Sequence, residues 1–255
     1  MNHKRFFALT LLAAASLSAQ AAAINLDAAS LSYQQNFDSL AASGSTGTAL
    51  PAGWSFLETG NSANTSYGVS DGSSNTGNTY SFGKTGSSDR ALGGLLSGNL
   101  VPVFGVSFVN QADRAIESLS ISYVGEQWRL GASNRNDRLN FQYSTNATAL
   151  NNGSWTSVSA LDFIAPVSTG SARALDGNAN SRSLSGSISG LNLAQGGSLW
   201  LRWSDVDASG ADDGLAIDNF ALNATLAPVP EPSSYALLLA GLGAVGLMSR
   251  RRLGR

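Results

Sequence analysis

In several runs between Ser30 and Leu226 apolar residues recur at every second position, and no stretch of that region keeps the 3.6-residue period of a helix. Leu119, Ile121 and Tyr123 alternate with Ser120 and Ser122; Leu139, Phe141 and Tyr143 alternate with Arg138, Asn140 and Gln142. Phe104, Val106 and Phe108 form a third set, Leu199, Leu201 and Trp203 a fourth, and Ala216, Asp218, Phe220 and Leu222 a last strand. Clusters of Gly, Asn and Ser separate the runs, as at Gly131 to Asn136 and at Asn151-Asn152-Gly153. Alternation of this kind puts apolar side chains on one face of each strand and polar ones on the other. That is the pattern of two packed antiparallel sheets. The expectation is an all-β chain, an antiparallel β-sandwich of jelly-roll type, with long loops and short strands over Ser43 to Gly98.

The two ends break the pattern. Lys4 and Arg5 precede an apolar run from Phe6 to Leu17, and Ala19-Gln20-Ala21 offers a small-x-small cleavage site, so residues 1–21 read as a secretory signal peptide handled by the Sec translocon. At the other end, Pro228-Val229-Pro230-Glu231-Pro232 leads into an uncharged stretch from Tyr235 to Met248 and then Arg250, Arg251 and Arg252. As a helix that stretch rises roughly 21 Å, short of a hydrocarbon core about 30 Å thick. The arginines would stay on the cytoplasmic side as a membrane stop, with the preceding body outside.

This tail resembles the PEP-CTERM sorting tail, with Val229, Pro230, Glu231 and Pro232 at the motif. The resemblance implies recognition by an exosortase, a transient anchor through a C-terminal transmembrane helix, and delivery from the inner membrane to the cell surface or beyond. The domain plan is therefore a signal peptide (1–21), a β-sandwich (22–227) and a sorting tail (228–255). A second likeness covers the body. Phe37-Asp38, Leu50-Pro51-Ala52-Gly53-Trp54, Arg90-Ala91-Leu92-Gly93 and Asp213 through Phe220 resemble a recurring bacterial secreted domain, itself similar to concanavalin-like and carbohydrate-binding jelly rolls.

Charge changes the picture once the ends are set aside. Lys and Arg total 15 and Asp and Glu total 17 over the whole chain. Six of the basic residues and one acidic residue lie in the two end segments, so the body is acidic. An acidic body argues against nucleic acid as a partner, since phosphate contacts need a basic face. There is no cysteine, so no disulfide holds the fold. The one histidine, His3, lies in the leader. Without His or Cys, the body holds neither Ser-His-Asp nor Cys-His catalysis, nor a zinc site of the usual ligands.

Oxygen chemistry is left. The loop Asp205, Asp207, Ser209, Asp212 and Asp213 mimics the spacing of a calcium loop, but Ala216 stands where a Glu belongs and the flanks read as strands, which excludes an EF-hand. A hairpin loop is still a candidate for structural Ca²⁺, against a solvated acidic turn. The jelly-roll likeness implies a calcium joining first and last strands, at Asp38 and Asp218. Glu126 beside Trp128 reads as a strand end with an exposed acid and a packing Trp, or as a candidate sugar contact with the acid bonding and the ring stacking. Trp54, Trp155, Trp200 and Trp203 read as a sugar platform or as packing, and Arg129, Arg135 and Arg138 as a solvated cluster beside Asp137. The expected function is a non-catalytic protein of the extracellular exopolysaccharide matrix. The alternatives are a carbohydrate-binding module with specific glycan affinity, or a glycan-cleaving enzyme with two carboxylates about 5–10 Å apart.

Overall fold

The computed structural model of the chain describes residues 22–229 and 237–242. The predicted signal peptide, Pro230, Glu231 and Pro232 of the sorting motif, and the arginines at 250–252 lie outside the described residues. The strands are β1 (Ile24–Leu26), β2 (Ser32–Gln35), β3 (Thr46–Gly47), β4 (Trp54–Thr59), β5 (Tyr67–Ser70), β6 (Asn78–Phe82), β7 (Ala91–Leu95) and β8 (Val101–Asn110). They continue as β9 (Ile116–Leu130), β10 (Arg138–Ser144), β11 (Thr156–Ser157), β12 (Phe163–Ile164), β13 (Arg173–Ala174), β14 (Ser181–Leu193), β15 (Ser198–Asp205) and β16 (Gly214–Leu226).

These strands form two sheets. The first runs β1-β8-β15-β10-β11, with β4 also on β8 and β12 also on β10. The second runs β13-β9-β16-β7-β6-β5-β3, with β14 also on β9 and β2 also on β16. Two pairings depart from the antiparallel expectation: β1 lies parallel to β8, and β5 parallel to β6. The region Ser43 to Gly98 contains β3 to β7, all short, as its composition suggests.

The inner faces meet on the alternating residues. Leu119, Ile121 and Tyr123 of β9 pack with Leu139 and Phe141 of β10 and Leu199, Leu201 and Trp203 of β15. Trp203 is the centre of this core. It stacks on Trp54 and Phe104 and takes the edges or faces of Tyr123, Phe141 and Phe220 at centroid distances of 5.1 to 5.9 Å. Aromatic pairs at such spacing add to the area they bury. Trp54 and Trp203 are thus packing residues. Trp200 is buried on the outer face of the first sheet, under Leu150, and Trp155 lies beneath the Arg202 guanidinium at 3.9 Å. None of the four forms an open stacking platform.

β16 does not keep one face inward along its length. Leu215 and Ile217 point into the core, and so do Phe220, Leu222 and Ala224. The inward parity changes between Ile217 and Phe220, where the pairing with β9 shifts register and Asn219 adopts φ 49°. This bulge splits the expected set of Ala216, Asp218, Phe220 and Leu222. Ala216 and Asp218 face outward, and Phe220 and Leu222 face inward. The edge partner of β16 changes at the same place, from β7 at Leu215 to Ile217 to β2 at Phe220 to Asn223.

Beyond the sandwich, residues 237–242 are helical. Leu237, Leu238, Leu239 and Leu242 are exposed there. Among the described residues no helix is long and apolar enough to cross a membrane.

Candidate functional site

The outer face of the second sheet carries two buried acids. Glu126 on β9 and Asp218 on β16 both point to it. Glu126 lies opposite Ala216, and Asp218 opposite Val124, so the two acids are diagonal neighbours across one strand pair. Both are nearly inaccessible, at 4% and 3% exposure. Burial pushes each carboxyl up to about 7. The Asp218 charge adds to the effect on Glu126, and those of Asp89 and Asp38 add to it on Asp218.

The candidate sugar contact at Glu126 and Trp128 is not formed; Trp128 is a packing residue, and Glu126 is buried and not the exposed acid of the alternative. Trp128 is 1% exposed, and its ring stacks on Phe82 in a small outer core with Tyr80, Ala91, Leu95 and Ala216. Its Nε1 donates to Glu126 Oε2 at 2.8 Å, so acid and ring satisfy each other. The loop after β13 covers the indole so closely that a Cβ on Gly177 would lie 2.2 Å from Cε2 of Trp128. A sugar cannot stack on a ring sealed in this way.

Nor do the seven calcium candidates gather at one point. Asp205, Asp207, Ser209, Asp212 and Asp213 lie in the β15–β16 loop, while Asp38 follows β2 and belongs with Asp218. Among the described residues no three carboxylates converge in a geometry that would hold a metal. In the loop, Asp207 and Ser209 are exposed, whereas Asp205, Asp212 and Asp213 are buried. The buried ones are engaged elsewhere. Asp213 accepts from the Gly131 N–H at 2.7 Å, Gln127 Nε2 at 2.8 Å and Arg135 Nη2 at 3.1 Å. Asp137 accepts from the Asp213 N–H at 2.7 Å and lies 2.8 Å from Arg135 Nη1. Asp212 accepts from the Ala208 N–H at 3.0 Å.

The result is a knot of carboxylates around one guanidinium. Burial alone would lower the Arg135 pKa, but Asp137 and Asp213 outweigh it and hold the group charged. Burial raises Asp212 and Asp213 to about 6, and raises Asp205 well above the carboxylate range with help from Asp137 and Asp212. In the loop, backbone amides and Arg135 hold the Asp212 and Asp213 carboxylates, and the Leu96 N–H donates to Asp205 Oδ2 at 3.2 Å, while Asp205 Oδ1 is buried with no hydrogen-bond partner among the described residues. Arg135 is also not the solvated residue its polar surroundings suggest, since its side chain is 7% exposed.

The Asp38–Asp218 end is different. Asp218 Oδ2 accepts from Asn219 Nδ2 at 2.9 Å, but its Oδ1 is buried with no hydrogen-bond partner among the described residues. Asp38 accepts from Asn36 Nδ2 at 2.7 Å and from the Arg90 N–H at 3.2 Å. Phe37 (φ 58°) and Asn219 (φ 49°) both sit in the left-handed region, each beside one of these acids. For a bulky residue such as Phe37 that conformation costs about 1–3 kcal/mol, and it is held by packing of its ring on Trp54 at 4.7 Å. Asp38 is near enough for its charge to help raise the Asp218 carboxyl, so an unpartnered buried oxygen and an exposed carboxylate share this end.

An open pocket of about 400 Å³ lies over this end, lined by Gln34, Gln35, Asn36, Asn219, Phe220 and Ala221. It forms where β16 changes edge partner. Two of its amides, Asn36 and Asn219, are the ones that cap Asp38 and Asp218. Sequence reasoning named the acids but missed the amides. The Asp218-Asn219 pair lies within a strand and carries no local mark of the bulge there.

At the C-terminal end, residues 228–252 match the family described as the PEP-CTERM protein-sorting motif. The chain carries a PEP-CTERM sorting motif. The motif implies export and processing by an exosortase. No curated protein matches the chain by sequence. Among solved structures, the K3 cleaved adhesin domain of Lys-gingipain from Porphyromonas gingivalis is similar at 10% identity and a TM-score of 0.43, over 75% of this chain and 98% of that one. The tandem CBM22 domain of Paenibacillus barcinonensis Xyn10C is similar at 15% identity and a TM-score of 0.40, over 85% of this chain and 50% of that one. TmCBM61 in complex with beta-1,4-galactotriose is similar at 11% identity and a TM-score of 0.31, over 55% of this chain and 74% of that one. Likenesses this distant assign neither ligand nor activity to the chain.

Proposed function

We propose that this chain is an exported, non-catalytic β-sandwich protein of jelly-roll type, sorted through its tail and retained in the exopolysaccharide outside the cell. The observation that carries the reading is the sorting motif at residues 228–252, placed directly after the last strand of the sandwich. In this reading residues 1–21 are removed on export and residues 235–248 are a transient membrane anchor. The exposed leucines at 237–239 and 242 support it, because apolar surface of that kind is costly in water and favourable in lipid. The amide-lined pocket supports contact with sugar hydroxyls, which amides meet as both donors and acceptors.

Hydrolysis is the weaker reading. Glu126 and Asp218 are close and have raised pKa values, but both are buried and Glu126 Oε2 is held by Trp128. A substrate oxygen has no route to them without movement of the covering loops. The test of the proposal is fractionation of cells expressing the full chain or a chain lacking residues 228–255. Retention in the surface or matrix fraction is expected for the full chain, and release into the soluble fraction for the truncated one. Identical distribution of the two would sink the reading.

A further inference from the structure

The outer face of the second sheet holds a second feature, next to the amide pocket and built from four strands. β14 lies on one side of β9 and β16 on the other, with β2 beyond β16. Register brings Ser189 opposite Ser118, and Ser118 opposite Thr225. The next row runs Ser187, Ser120, Asn223 and Ser32. The third runs Ser185, Ser122, Ala221 and Gln34. The intervening residues Leu119, Ile121, Ile188 and Leu222 all enter the core, so these rows face outward together.

None of the row hydroxyls, nor the Asn223 or Gln34 amide, hydrogen-bonds to another described side chain or backbone group. None is a buried orphan either, so all reach solvent. This sets them apart from the polar groups at the other end of the sheet, which are consumed by capping and ion pairing. Strand spacing places neighbours across a row about 4.8 Å apart and rows about 6.7 Å apart. The third row ends at Ala221 and Gln34, which also line the amide pocket, so grid and pocket form one continuous surface.

We infer that this hydroxyl and amide grid is a binding face for a neutral polysaccharide chain. The inference rests on the matrix reading above and names its ligand class and surface. The chemistry of the face selects the partner. It carries no cation, so a phosphate polymer or an anionic glycan gains nothing from it. It carries no aromatic or aliphatic anchor, so it lacks what a protein partner would dock against. Each hydroxyl is both donor and acceptor and rotates to suit, which complements a ligand dense in uncharged hydroxyls. Each bond nets only about 0.5–1.5 kcal/mol against water. Short oligosaccharides therefore bind weakly, and a polymer binds through many rows at once.

The test uses the purified full-length protein in affinity gel electrophoresis against dextran, galactan and mixed-linkage β-glucan as neutral probes, with alginate as the anionic one. The comparison is the quadruple variant Ser120→Ala, Ser122→Ala, Ser185→Ala and Ser187→Ala, with its melting temperature measured in parallel. Retardation by at least one neutral polymer, weakened at least tenfold in the variant at unchanged melting temperature, is the expected result. Neutral retardation unaffected by the four substitutions would overturn the grid and leave the matrix reading standing. Retardation by alginate alone would do the same. No retardation by any polymer would overturn both.

Discussion

Replacing Glu126 with glutamine should stabilise the protein at alkaline pH. The wild-type carboxyl has a folded pKa of about 7, against 4.5 when unfolded, and burial is the main cause. The unfolded chain therefore gives up this proton well before the folded one does. Between the two values the folded state holds more protons, so stability falls as pH rises, and the loss is complete above about pH 7. A folded value of about 7 against 4.5 amounts to about 3 kcal/mol at pH 8.5 and less than about 1 kcal/mol at pH 5. Glutamine removes the buried charge and keeps an oxygen to accept from Trp128 Nε1, which now bonds to Glu126 Oε2 at 2.8 Å. Urea denaturation of wild type and Glu126→Gln at both pH values, in chelator to remove divalent cations, measures the difference directly. A gain at pH 8.5 that shrinks at pH 5 is expected. An equal effect at both pH values, or destabilisation at pH 8.5, would refute the assignment of a strained buried carboxylate.

Three other outcomes are expected. Arg135→Ala removes the cation paired with Asp137 and Asp213 and should cost about 3–5 kcal/mol in urea denaturation; a loss under about 0.5 kcal/mol would mean that the knot is not a stabilising element. Gly177→Ala drives a methyl into the Trp128 ring and should cost about 1–3 kcal/mol, with a shift of the Trp128 indole N–H resonance as its specific mark. Calcium should raise the melting temperature, by the equivalent of about 2.7 kcal/mol at a hundredfold excess over Kd, and Asp218→Asn should abolish the rise while Asp207→Asn should not. A rise that survives Asp218→Asn would move the site back to the β15–β16 loop, and no rise at all would end the calcium proposal.

Much of the fold is legible in the alternation of apolar residues, because a strand's inward face is set by a period of two that is local to the chain. The runs at Leu119, Leu139, Leu199 and Phe104 all become core strands with the expected side chains inward. The sorting tail and the absence of His and Cys in the body are likewise sequence-level properties, since they depend on composition and order alone. The rest belongs to tertiary structure. The β16 bulge at Asn219, which turns Asp218 outward while Phe220 stays in, arises from pairing with β9 and two different edge strands. Trp128 looks like an available ring beside an acid until the loop at Gly177 closes over it. Asp213 looks like a ligand until Asp137, Arg135 and Gln127 arrive from another part of the chain. The hydroxyl grid lies in segments far apart in sequence, and only strand register aligns Ser187 with Ser120 and Asn223. Local pattern decides which way a side chain faces its own strand. What it meets there depends on contacts between distant segments, and these form only when the sheets assemble.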